Sequence, residues 1–174
     1  MKSMFVVLVG VVVTAVLGAS VGCAGPSAAQ VKTAKLAEYN AQTGQLLDIA
    51  MQAVQKSYKI DPNTVDPQGM FTTLSQWYSS EGMRRGTSNE GNGDYVVNAM
   101  GGDIQLAMEV RVISQPGGRA QIAVVPHTKQ LVAGSPQPRD LAPDDPNLPG
   151  WVKGRVDQLA VDIYNAAKPY EQKP

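Results

Sequence analysis

Few side chains in this sequence could do chemistry, and they lie far apart. Cys23 is the only cysteine and His127 the only histidine. One thiol excludes an internal disulfide, and one Cys with one His excludes a four-ligand Cys/His zinc site. Nucleophilic catalysis of the Ser/His/Asp or Cys/His type would have to run through His127 as its base. The sequence has no G-x-S-x-G elbow. His127 follows Pro126 near the end of a predicted strand, where an exposed or hydrogen-bonded imidazole is the ordinary expectation. Asp144 and Asp145 are adjacent carboxylates, which loop solvation and helix capping explain. Glycosidase carboxylates must instead face each other across a cleft. Asp61, Asn63 and Asp66 resemble spaced calcium ligands, but the central Gly and terminal Glu of an EF-hand loop are missing, so turn chemistry is expected. Arg84 and Arg85 could hold an anion, yet neighbours on a strand point to opposite faces, so a solvated pair is expected. Trp77, Tyr78 and Trp151 could line a groove, and are expected to cover a core edge. No catalytic residue, metal site or cofactor is expected.

The composition narrows the partners. The chain has 174 residues, 43% hydrophobic and 17% charged, which suits one domain with appendages. Lys+Arg and Asp+Glu are both 15, for a net charge of +0. A nucleic-acid partner normally demands a basic excess to neutralise phosphates, and none is present.

The N-terminus explains where the thiol stands. Lys2 supplies a positive start, Met4–Leu17 an apolar run, and Gly18–Gly22 a small-residue segment suited to a peptidase. The segment Ser20-Val21-Gly22-Cys23 resembles the lipobox of bacterial lipoproteins. Gly22 and Cys23 match that pattern, Val21 is tolerated, and Ser20 stands where the family favours Leu. The resemblance implies that residues 1–22 are a signal peptide and that Cys23 is acylated and becomes the first mature residue. The chemistry requires a thiol, since a thiolate can be alkylated by a lipid donor, and two or more acyl chains give stable anchoring. Ala24, rather than Asp, after that Cys implies the outer membrane of a diderm cell, on its periplasmic face. Two alternatives remain: a plain secretory signal with an incidental Cys, and an uncleaved apolar segment that anchors the chain in the inner membrane.

The rest of the chain must supply the elements. Residues 23–30 are read as a tether, 31–168 as a single domain and 169–174 as a tail. Ser27 and Gln30 form a capping box. Helical spacing then runs through Tyr39, Leu46, Leu47, Ala50, Val54 and Tyr58, with a bend or break expected near Asn40–Gly44. Met70–Ser80 is rich in aromatic and β-branched residues and predicts a strand. Ile104, Leu106, Met108, Val110 and Val112 alternate with Gln105, Ala107, Glu109 and Arg111, which predicts an antiparallel strand with one wet face. A turn at Gln115–Arg119 and a second arm through Ala120, Ile122 and Val124 complete a hairpin. Tyr95–Met100 reads as an added strand or an extension of the first arm. Ser135–Pro149 reads as a proline-rich loop, with Asp145 or Asn147 capping a helix to Lys168.

This order predicts an α+β fold of two layers: an antiparallel sheet of three to four strands with an N-terminal and a C-terminal helix on one face. Over Leu46–Ala167 the pattern resembles the helix-grip lipoproteins attached to the outer-membrane-protein assembly machine. That resemblance implies a non-enzymatic envelope protein that binds another envelope protein or holds an assembly. The alternatives are a periplasmic binding module for a small apolar or glycan ligand, which needs a pocket between helices and sheet, and an envelope enzyme using His127.

Overall fold

The computed structural model describes residues 25–86, 100–135 and 137–172. The Ser20–Cys23 segment read as a lipobox, and the strand considered for Tyr95–Met100 apart from Met100 itself, lie outside the described residues.

A long hairpin is the spine of the molecule. Strands β3 (Ile104–Gln115) and β4 (Arg119–Gln130) pair antiparallel along their whole length, from Ile104 opposite Gln130 to Gln115 opposite Arg119. The connection is Pro116-Gly117-Gly118, and both glycines have positive φ, 82° and 75°. Glycine reaches that region without steric cost, which is why this stretch can reverse the chain so tightly. Ile104, Leu106, Met108, Val110 and Val112 all face the core and are buried, as their alternation predicts.

The predicted strand at Met70–Ser80 forms as two pieces. Strands β1 (Met70–Thr72) and β2 (Gln76–Tyr78) both pair antiparallel with β3. Thr72 lies opposite Glu109 and Gln76 opposite Leu106, so three residues on one side face two on the other. This is a β-bulge, one extra residue that shifts the register. Thr73 holds it in place: its N–H donates to Met108 O, and its Oγ1 accepts from Met108 N at 2.9 Å. Because strand faces alternate, the extra residue decides which aromatic turns inward. Phe71 and Tyr78 face the helices, while Trp77, opposite Gln105, faces the other side.

Ser135–Pro149 is more than a loop. It contains β5 (Arg139–Leu141), which pairs antiparallel with the end of β4, Thr128 opposite Leu141. The sheet order is β1–β3–β4–β5, with β2 also on β3. Pro126 sits in β4 without breaking the ladder. Both backbone groups of Met108, its opposite number, bond to Thr73 on the far side, so Pro126 directs its missing N–H to the outer edge, beyond the end of β5.

The expected N-terminal helix is two. Helix α1 (Ala28–Leu36) starts on the predicted capping box, with Gln30 N donating to Ser27 Oγ and Ser27 N donating to Gln30 Oε1. Helix α2 (Thr43–Val54) follows after an extended linker. Tyr39 lies in that linker, not on a helix. Its backbone exchanges hydrogen bonds with Ala120 and it also bridges to Glu171, tying together three distant parts of the chain. Helix α3 (Gly150–Ala167) starts after Pro149, with no side-chain cap. Asp145 Oδ1 instead accepts from Asn147 N and Nδ2, a local turn.

The three α-helices among the described residues pack on one face of the sheet, α2 and α3 directly over the strands and α1 against α3. Leu46, Ala50 and Val54 from α2 meet Phe71, Val110, Val152, Leu159 and Ile163 in one contiguous core. Each branched or aromatic side chain buried there stabilises by about 1.5–3 kcal/mol relative to exposure. The fold is therefore two-layered α+β, and among the described residues no helix covers the sheet's second face.

Candidate functional site

His127 is the residue on which catalysis would hinge, and the structure places it on the helix-free face of the sheet. It lies on β4 opposite Ala107, and its Nε2 is 3.0 Å from Glu109 Oε2 on β3. The other carboxylate oxygen of Glu109 accepts from Arg111 Nε, two residues along the same strand. Glu109 is only 7% exposed although it is on the outer face, while the side chains of Arg111 and His127 are about half exposed. Burial alone pushes the Glu109 carboxyl up, but the hydrogen bonds and positive charges of Arg111 and His127 outweigh it and hold it below the usual 4.5. The carboxylate is thus anionic and satisfied under its two partners. Among the described residues, no Ser, Thr or Cys is hydrogen-bonded to His127, so the imidazole has an orienting acid but no nucleophile to activate.

The other sequence candidates form local structure. Asp61 Oδ1 accepts from Asn63 N, and Asp66 Oδ1 from Gln68 N, both Asx-type turns. Among the described residues no group of three or more His, Cys, Asp and Glu is placed to hold a metal. Arg84 and Arg85 do part company, but Arg85 is not simply solvated. Its Nε and Nη2 hold both oxygens of the buried Asp103 at 3.0 and 2.9 Å, a bidentate pair. Asp103 also accepts from Met100 N. That pair ties the loop after β2 to the start of β3.

The centre of the space between helices and sheet, where an enclosed ligand would sit, is filled by the core side chains named above. Two surface grooves remain of interest. One, of about 400 Å³, opens between β4 and the first turns of α3 and is lined by Val124, Pro126, Leu148, Val152 and Val156, with Lys35 and Asp157 bridged at 2.6 Å on its rim.

The other, of about 670 Å³, lies where the described chain begins. Gly25 and Pro26 form one wall, Tyr58 after α2 another, and Tyr78, Trp151 and Arg155 the third. Tyr78 and Trp151 cover a core edge as expected and also line this groove, while Trp77 does not line it. The Tyr78 and Trp151 ring centroids are 5.1 Å apart. The Arg155 guanidinium lies over both, 4.5 Å from Tyr78 and 5.5 Å from Trp151, and donates to Gly82 O at 2.9 Å. Trp151 Nε1 donates to Ser80 O, so the polar end of the indole is satisfied. Gly82, with φ of 86°, lies so near that an added Cβ would stand 2.9 Å from the indole. Sequence reading missed Arg155, although its signal was there: Trp151 and Arg155 are four residues apart on a predicted helix, hence on one face.

Among the described residues no helix is long and apolar enough to cross a membrane. No family model, curated protein or solved structure matches this chain.

Proposed function

We propose that this is a lipid-anchored cell-envelope protein, held at the periplasmic face of the outer membrane by acylated Cys23, with a non-catalytic role in binding or assembling another envelope protein. The observation that carries the reading is the sequence Ser20-Val21-Gly22-Cys23 at the close of an apolar run. Two structural features support it. The capping box of α1 starts the ordered domain only four residues after Cys23, as befits a domain held close to its anchor. The centre of the helix–sheet interface is packed with core side chains, which favours surface contact over a ligand enclosed there. A fatty-acid probe fed to cells should label the wild type and spare Cys23→Ser. Equal labelling of the two would overturn the anchor.

One observation favours an enzyme as a second reading: the 3.0 Å contact between His127 and a buried carboxylate, the geometry that orients a general base. Complementation of a deletion strain separates the readings. His127→Ala should restore function fully if the role is contact, and should fail, while folding and localising normally, if the role is catalysis.

A further inference from the structure

Three chain segments reach the same end of the domain. Helix α1 begins there just after Gly25 and Pro26, α2 delivers Tyr58 there just past its C-terminus, and α3 begins there with Trp151. The opposite end carries the hairpin turn and the ion pair of Arg119 with Glu38 at 2.6 Å. The two ends differ in chemistry. At the first, two tyrosines and a tryptophan line the groove, and the neighbouring loop holds out Met83, 66% exposed. Arg84 and Arg155 supply cationic groups to the same wall.

Covalent geometry then constrains the anchor. Cys23 is two residues before Gly25, and two residues of chain span at most about 7 Å. Whatever holds Cys23 in a membrane brings the groove wall to the headgroup layer.

We propose that the end of the domain formed by Gly25, Tyr58, Trp151 and the Ser79–Arg84 loop rests on the bilayer surface, with the Met83 side chain entering the interfacial layer. The proposal rests on the anchor reading above and adds an orientation to it. Tyr and Trp favour the membrane–water interface, where an apolar ring meets lipid and a polar tip stays hydrated. Arginine suits the same layer, its apolar stem against lipid and its guanidinium among phosphates. Glu81, in the same loop, limits the depth: Ser80 Oγ donates to its carboxylate and holds that carboxyl below its ordinary range, so its charged head stays at the water level while Met83 goes in. The fit to lipid is local, since the net charge of +0 offers no general attraction to an anionic surface.

The test uses the full processed chain in vesicles of phosphatidylethanolamine and phosphatidylglycerol. Acylated Cys23 leaves the wild type with no free thiol, so Met83→Cys and Ile113→Cys each offer one site for an environment-sensitive dye. Both positions are exposed, at 66% and 43%, so neither label disturbs the core. Ile113 is the control because it lies about 30 Å along β3 from the groove end. A nitroxide attached to the lipid headgroup should quench the Met83→Cys label several-fold and leave the Ile113→Cys label unchanged. Equal quenching at the two sites overturns the orientation. Dye uptake by the wild type itself overturns the acylated anchor, a separate result. In that event the same comparison on a Cys23→Ser background still decides the orientation, because the apolar segment joins at the same wall.

Discussion

The two faces of β3 carry the same alternation and obey different rules. On the inner face, Ile104, Leu106, Met108, Val110 and Val112 are buried by helices, and burial is the whole of their contribution. On the outer face, Ala107 and Glu109 are buried too, with no helix above them among the described residues. They are covered by their own neighbours on the sheet, His127 from β4 and Arg111 from β3. The inner face is held by shape and the outer face by charge. Polar residues on a sheet's open side are therefore not uniformly solvated: long side chains can close over a shorter one and bury it.

The largest expected effect comes from forcing outer-face chemistry onto the inner face. Val110→Asp places a carboxylate at a fully buried position facing Phe71 and the helices. An unpaired buried charge costs several kcal/mol, of the order of a domain's whole stability, so the variant should show no cooperative melting transition. A native-like melt would mean that β3 does not present this face to the core.

Next comes the converse, breaking the charge arrangement outside. Arg111→Asp removes the partner of Glu109 and sets a second carboxylate beside it. Alternation alone assigns Arg111 to solvent, where a change costs no more than about 0.5 kcal/mol. The ion pair with a buried carboxylate raises that expectation to about 1–3 kcal/mol, the cost of leaving such a group under-satisfied. Chemical denaturation of Arg111→Asp against Arg119→Asp, whose Glu38 partner is more exposed, reads the difference. Equal losses would put Glu109 in water.

The smallest effect is a slope. The folded carboxyl of Glu109 lies below its ordinary 4.5, so its contribution is present above that value and is lost as pH falls through the folded pKa. Glu109→Gln should be less stable than the wild type at neutral pH, and the two stability curves should converge in acid, once the pH has fallen below the carboxyl's lowered folded pKa. Parallel curves over the whole range would show that the carboxylate gains nothing from Arg111 and His127.

What was legible in the sequence was local. The capping box at Ser27 and Gln30, the glycine turn at 117–118, the inner face of β3 and the apolar stripe of α3 each depend on residues close in the chain. What escaped required knowledge of a partner strand. Alternation in β3 shows Glu109 on the outer side, but only the register that brings His127 next to it shows that it is covered. The bulge at Thr73 is invisible from Met70–Ser80 alone, because an extra residue exists only relative to β3. Three-residue β5 is hidden among the prolines of its segment, and its pairing with Thr128–Gln130 is what makes it a strand. Tyr39 fits a helical stripe by spacing, yet two backbone hydrogen bonds to Ala120 hold it extended.

That Tyr39 linkage also sets an order of events in folding. Its bonds to Ala120 and its bridge to Glu171 join the first part of the domain to the hairpin and to the segment just beyond α3. Contacts of such long sequence separation are slow to form, because loop closure must precede any gain from them. The hairpin can assemble early from neighbouring residues. The linker before α2 can find its place only once Glu171 is available, so the domain closes last around its own C-terminal end. Since synthesis runs from the N-terminus, the linker before α2 is among the first parts made and waits the longest for its final partner.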